Sequence, residues 1–94
     1  MAKKSKKKLF EALDQFFGTD VYSKDGLNAQ GIGDETYGKE SFIYVDSKGK
    51  RSELESFLRV NDFQINPRYG KGGDYVEVAV SYFKGYHWNN KLVN

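Results

Sequence analysis

Apolar and polar residues alternate most clearly over residues 75–83 of this chain. Valines at positions 76, 78 and 80 fall on one face of a predicted strand, whereas Tyr75, Glu77 and Phe83 fall on the other. Such alternation is typical of a strand with one face in the core. We therefore predict that the valine face packs against helices and that Phe83 lies on the outer face of the sheet.

Two further strands are predicted, at residues 63–65 and 41–46. The first is expected to form a hairpin with the valine strand, because the glycine-rich segment 70–73 between them permits the positive φ of a hairpin tip. The second combines β-branched and aromatic residues in the run Ser-Phe-Ile-Tyr-Val-Asp, and a predicted turn at residues 47–50 follows it.

Two segments carry the 3.6-residue period of an amphipathic helix. In residues 6–17, apolar side chains recur at positions 9, 10, 13, 16 and 17, and Gly18 is expected to end the helix. A second helix is expected to begin at Ser52, because Glu55 stands three residues later as a capping box requires. Residues 61–62 should end it.

Residues 18–40 form the least regular part of the chain. Glycines at positions 18, 26, 31, 33 and 38 interrupt it, and few apolar residues separate them. A structureless stretch of this length is uncommon in a compact domain. The pattern fits either a binding loop or a pair of weak strands and does not distinguish between them.

Together these elements predict the α+β class: a small antiparallel β-sheet of three or more strands with two helices packed on one face. The length of 94 residues predicts one domain, whose core is built from few but large side chains, since aromatics make up 16% of the chain. We assign residues 9–94 to this domain. Residues 1–8 are expected to form a disordered basic arm, because neighbouring lysines repel one another and have no apolar surface to bury.

The charge of the chain is unevenly distributed. Five of the fifteen Lys and Arg residues lie within the first eight positions, which leaves ten basic and thirteen acidic side chains, a formal charge of −3, in residues 9–94. A cationic arm on a slightly acidic body indicates contact with a polyanion through the arm. Lysine-rich termini can also serve solubility alone, and both roles stay open at this point.

Composition excludes several classes of site and location. Cysteine is absent and histidine occurs once, so neither a disulfide nor a zinc site is expected. No apolar run approaches 18 residues, and Glu11 and Asp14 interrupt the one stretch that could resemble a signal peptide. We therefore expect no membrane partner and a cytoplasmic location, or a virion if this Gly- and Tyr-rich chain is a phage or mobile-element accessory protein.

Enzymatic activity is not expected. The adjacent carboxylates of Asp34 and Glu35 are the best candidates for acid–base chemistry, but adjacent acids in a polar segment are typical of a solvated surface. The run 31–36 carries Thr36 where a dinucleotide fingerprint needs its last glycine, and it places two acids where a phosphate would bind. No cofactor is predicted.

The first functional hypothesis is nonspecific association with nucleic acid through the lysine arm, with cations on loops as secondary phosphate contacts. The predicted contacts are Lys3, Lys4, Lys6, Lys7, Lys8, Lys48, Lys50, Arg51, Arg68 and Lys71.

The second hypothesis is a protein–protein interaction module, such as a small inhibitor, an assembly factor or a virion component. Its contact surface is expected to combine the outer sheet face with the 18–40 segment. The predicted surface residues are Tyr75, Phe83, Lys84 and Tyr86. The aromatic run 82–88 could instead close the core or stack on bases, and the sequence specifies neither the partner nor the oligomeric state.

Overall fold

The computed structural model describes residues 3–66 and 74–85. Over these residues the chain forms three helices and four strands. In chain order they are α1 (Lys6–Phe17), α2 (Val21–Asp25), β1 (Ile32–Tyr37), β2 (Glu40–Asp46), α3 (Arg51–Val60), β3 (Gln64–Asn66) and β4 (Tyr75–Val80), with a 3-10 turn at Gly26–Asn28.

The four strands form one antiparallel sheet in the order β1-β2-β4-β3. The register places Ile43 opposite Val78, which in turn lies opposite Ile65. These side chains are buried in one core together with Leu13 of α1 and Leu54 of α3, so the helices cover the valine face of the sheet. The predicted α+β class is confirmed, with four strands and a short third helix.

The predicted limits of α1 are confirmed. Gly18 has a left-handed conformation (φ 68°), and its N–H donates a hydrogen bond to the carbonyl of Asp14. The Asp14 carboxylate also accepts hydrogen bonds from the backbone N–H groups of Tyr22 and the residue after it, at 2.9 and 3.0 Å. In this way α1 caps the start of α2 and holds Tyr22 in the core.

The start of α3 differs from the prediction. The helix begins at Arg51 with Lys50 as its N-cap, and no side chain caps it. Ser52 therefore lies within the first turn, and the predicted capping box is wrong. Glu55 instead accepts a hydrogen bond from Arg51 Nε at 3.1 Å, one helical turn away. The predicted end is confirmed, since the helix stops immediately before Asn61.

The irregular segment 18–40 is neither one loop nor a pair of strands. It contains α2, the 3-10 turn and β1, and β1 forms a hairpin with β2. Gly38, with φ of 63°, occupies the first central position of the two-residue turn between these strands. That position requires a positive φ in the type II′ hairpin turn, which glycine adopts without strain.

The valine strand is shorter than predicted, because β4 ends at Val80. The backbone N–H of Ser81 donates to the carbonyl of Lys4 at 2.8 Å, which does not extend the sheet. Phe83 is half-buried and packs against the core cluster. Its position therefore differs from the expected one on the outer sheet face.

Candidate nucleic-acid interface

The lysines near the start of the chain are attached to the domain. The expected disordered arm differs from the structure over residues 3–8, because Lys6 opens α1 and the side chain of Ser5 accepts a hydrogen bond from the backbone N–H of Lys8 at 3.2 Å. Ser81 holds the residues before the helix through two bonds: its N–H donates to the Lys4 carbonyl at 2.8 Å, and its hydroxyl donates to the Lys3 carbonyl at 2.7 Å. Backbone hydrogen bonding thus fixes lysines that have no apolar surface to bury.

Three of these lysines interact with other side chains. Lys3 Nζ lies 3.2 Å from Glu40 Oε1, in an ion pair that is partly exposed and therefore weak. Lys6 Nζ lies 4.5 Å from the centroid of the Phe83 ring, and Lys4 makes a longer contact of this kind, at 5.9 Å, with another phenylalanine. A cation–π contact orients an ammonium group but leaves its positive charge in place.

Two other chain segments bring lysines to the same end of the sheet. Lys39 lies in the β1–β2 turn, next to the Glu40 that Lys3 contacts. Lys84 is exposed and follows Phe83, whose ring lies under Lys6. We call this group the lysine end; its members are Lys3, Lys4, Lys6, Lys7, Lys8, Lys39 and Lys84.

The lysine end has a strong net positive charge. Its three segments, residues 3–11, 38–40 and 81–85, hold seven lysines and two glutamates, a formal charge of +5. The first turn of α1 contains no acidic residue, although it contains three lysines. Cations at a helix N-terminus oppose the macrodipole at a cost of about 0.3–1 kcal/mol each. The helix start therefore adds to the positive potential of the lysines. A bound anion would reduce both the repulsion among the lysines and their unfavourable interaction with the helix dipole.

The predicted cations of the β2–α3 turn lie at the other end of the molecule. Lys48 Nζ is 5.2 Å from the ring centroid of Phe17, the last residue of α1, whereas Lys6 is the first. Phe17 stands eleven residues after Lys6, which is about 16 Å along the helix axis. Arg51 is paired with Glu55. The structure thus does not bring Lys48, Lys50 and Arg51 together with the lysine end, and the predicted contacts Arg68 and Lys71 lie outside the described residues.

The residues of the predicted protein-binding surface are also divided between the two ends of β4. Tyr75 begins β4 opposite Asp46, whereas Phe83 and Lys84 lie beyond the other end of that strand. Burial raises the pKa of Tyr75, and the charges of Asp46 and Asp74 raise it further. Lys84 belongs to the lysine end instead, and the predicted contact at position 86 (Tyr86) lies outside the described residues.

The carboxylates considered for acid–base chemistry are not arranged as a pair. Asp34 is opposite Ile43 on the helix-covered face, whereas Glu35 projects from the outer face. On that face the Tyr44 hydroxyl donates a hydrogen bond to Glu35 Oε1 at 2.5 Å. Burial of Tyr44, with Glu35 and Glu77 beside it, raises its pKa and keeps the phenol protonated. Glu77, on the face opposite the valines, is also buried, at 4% exposure.

Sequence reasoning missed Lys39 as a member of the lysine end, and it also missed the exposed Tyr37 beside it. The available signal was Tyr-Gly-Lys-Glu, with glycine at the first central position of a two-residue turn. The signal was weak because β1 is mostly polar, so the segment before the turn did not stand out as a strand.

No family model matches this chain, and no curated protein or solved structure matches it either. In residues 3–66 and 74–85, no helix is both long and apolar enough to cross a membrane. Within the same ranges, no group of three or more His, Asp or Glu side chains is placed to hold a metal ion.

Proposed function

We propose that this chain is a non-enzymatic nucleic-acid-binding protein and that its lysine end contacts the phosphate backbone. One observation carries the proposal: lysines from three separate chain segments lie at the end of the sheet where α1 begins. Lys7 and Lys8 are the leading contacts, because both are exposed and neither forms an ion pair among the described residues.

Binding through this surface is expected to be nonspecific and sensitive to salt. Contacts to phosphates carry no sequence information. Each neutralised phosphate releases condensed counterions, and the slope of log K against log salt is about −0.9 per phosphate on duplex DNA. A formal charge of +5 therefore predicts a slope of about −4 to −5 if the whole patch is engaged.

The test is a titration of the protein into a labelled duplex of random sequence at several salt concentrations. The double variant Lys7→Ala/Lys8→Ala should make the salt slope less steep by about 2 and weaken binding equally for unrelated sequences. The matched control, Lys48→Ala/Lys50→Ala, removes the same charge at the opposite end and should bind like the wild type. Equal losses in the two variants, or binding that does not respond to salt, would refute the proposal.

We propose a cytoplasmic location for this chain, or a virion if it is a phage or mobile-element component. The nonspecific mode also fits an accessory role, because phosphate contacts hold a protein on nucleic acid without selecting a sequence. Solubility alone remains the competing role of the lysines, and the titration above separates the two.

A second candidate function, protein binding, is favoured by a cleft on the outer face of the β1–β2 hairpin. The cleft has a volume of about 410 Å³, and Glu35, Tyr37, Glu40 and Phe42 line it. Two carboxylates beside two aromatic rings suit a lysine or arginine side chain of a partner. An arginine-rich peptide should bind the wild type and lose affinity for Phe42→Ala, whereas duplex binding stays unchanged. Failure of the peptide to bind the wild type would exclude this function.

A further inference from the structure

Within residues 3–66 and 74–85, the exposed aromatic rings are concentrated at the lysine end. Among the described residues, four large hydrophobic side chains are exposed, and the two aromatic ones are Tyr37, at 75%, and Tyr82, at 56%. Tyr37 is paired with Glu40, which Lys3 contacts. Tyr82 follows Ser81, which is bonded to the carbonyls of Lys3 and Lys4.

Each tyrosine stands near a lysine along the chain, and Tyr37 also lines the outer-face cleft together with Glu35 and Glu40. Tyr37 lies two residues before Lys39, and Tyr82 lies two residues before Lys84. β2 lies between β1 and β4, so the two tyrosines are attached about two strand spacings, roughly 10 Å, apart. One nucleic-acid strand with a rise of about 3.4 Å per nucleotide covers that distance with roughly three nucleotides.

We propose that the lysine end binds single-stranded nucleic acid, with bases stacked on Tyr37 and Tyr82 and phosphates held by the neighbouring lysines. This inference rests on the nucleic-acid binding proposed above and adds the form of the ligand. Exposed aromatic rings inside a cationic patch are the combination by which proteins hold single strands without selecting a sequence. In a duplex the base faces are covered by their neighbours, so the two rings have nothing to stack on.

The stacking surface does not include Phe83. Its ring is half-buried against the core and lies under the Lys6 ammonium group. Its backbone N–H donates to Ser41 Oγ, and its carbonyl accepts from the same hydroxyl, both at 3.0 Å. Phe83 thus packs beneath Lys6 at the lysine end, whereas the two tyrosines are exposed to solvent.

The test compares three labelled probes in anisotropy titrations at low salt: a dT12 oligonucleotide, an rU12 oligonucleotide and a 12-base-pair duplex. The variants are Tyr37→Ser/Tyr82→Ser, which removes both rings, and Tyr37→Phe/Tyr82→Phe, which keeps them. We expect the wild type to bind single strands more tightly than the duplex. The serine variant should lose about fivefold or more per ring on single strands and nothing on the duplex, and the phenylalanine variant should retain binding. The dT12 and rU12 probes show whether DNA, RNA or both are accepted.

Circular dichroism of each variant confirms that the fold is intact, and both positions are exposed enough to tolerate the change. Equal binding of duplex and single strands, with no loss in the serine variant, would overturn the stacking inference and leave phosphate binding by the lysines standing. Absence of binding to all three probes would remove the proposed function as well. Loss of binding in the phenylalanine variant would also overturn stacking, because it would assign the effect to the phenol hydroxyl groups.

Discussion

Lys8→Glu should stabilise the fold and weaken nucleic-acid binding at the same time. Lys8 is exposed in the first turn of α1, and its backbone N–H already donates to the Ser5 side chain. Glutamate at this position completes a capping box, because its carboxylate can accept a hydrogen bond from the backbone N–H of Ser5. It also replaces a charge that opposes the helix dipole with one that favours it.

The size of the gain follows from opposing terms. Reversing a charge at a helix N-terminus is worth about 0.6–2 kcal/mol, twice the effect of one charge. Losing the attraction between Lys8 and Glu11, and adding a repulsion there, costs about 0.4–1 kcal/mol. The midpoints of these ranges leave a gain of about 0.6 kcal/mol, and the new cap adds a few tenths. We therefore expect a net gain of about 0.5–1 kcal/mol, which raises the Tm by about 2–8 °C in a domain of this size.

Two assays on the same protein sample check this prediction. Urea unfolding followed by circular dichroism gives the change in stability, and duplex titrations at several salt concentrations give the salt slope, which should become less steep by about 2. Lys50→Asp is the matched control, since Lys50 is the N-cap of α3 at the opposite end and has no side-chain cap bond. This control should gain about 1 kcal/mol from a better cap and keep its binding.

A destabilised Lys8→Glu variant would refute the argument from the helix dipole. Unchanged binding in that variant would show that the start of α1 is not in the interface. A loss of binding in Lys50→Asp equal to that in Lys8→Glu would mean that total charge, and not the lysine end, determines affinity.

Three further predictions concern the interior. Val78→Asp should unfold the protein, because a buried unpaired charge costs several kcal/mol of a total stability of roughly 5–15 kcal/mol; a cooperative melt near that of the wild type would contradict it. Ser41→Ala should cost about 1–3 kcal/mol in urea unfolding, because it removes both hydrogen bonds to the Phe83 backbone, and an unchanged midpoint would show that these bonds contribute nothing. Tyr44→Phe should cost about 1.5–3 kcal/mol at pH 7 through its bond to the Glu35 carboxylate. Since the folded state raises the pKa of this phenol, the wild type should lose stability above pH 10 by up to about 1.4 kcal/mol per pH unit, and an equal alkaline loss in the variant would refute this assignment.

The parts of the fold that the sequence predicted correctly depend on local patterns. The apolar stripe of α1 and its stop at Gly18 are properties of neighbouring residues, as is the alternation of valines in β4. The start of α3 was misplaced because Ser52 and Glu55 satisfy a capping pattern, yet Arg51 gains a pairing with Glu55 by joining the helix. A capping pattern fixes a helix start only when no competing interaction is available.

The parts that were missed depend on pairing between distant segments. β1 is mostly polar and is recognisable as a strand only through its register with β2, which places Asp34 opposite Ile43. The same pairing brings Lys39 beside Glu40 and hence beside Lys3. Charge alone identified the lysines near the start of the chain, but only the sheet shows which other lysines and tyrosines join them.

The bonds from Ser81 to the carbonyls of Lys3 and Lys4 have a consequence for the order of folding. Lys3 and Ser81 are 78 residues apart, so the contact closes a loop that includes most of the domain. During synthesis the lysines emerge first, and the residue that fixes them emerges only after the rest of the sheet. A nascent chain therefore carries the charges of the lysine end without its geometry, and the complete patch exists only once β4 has docked.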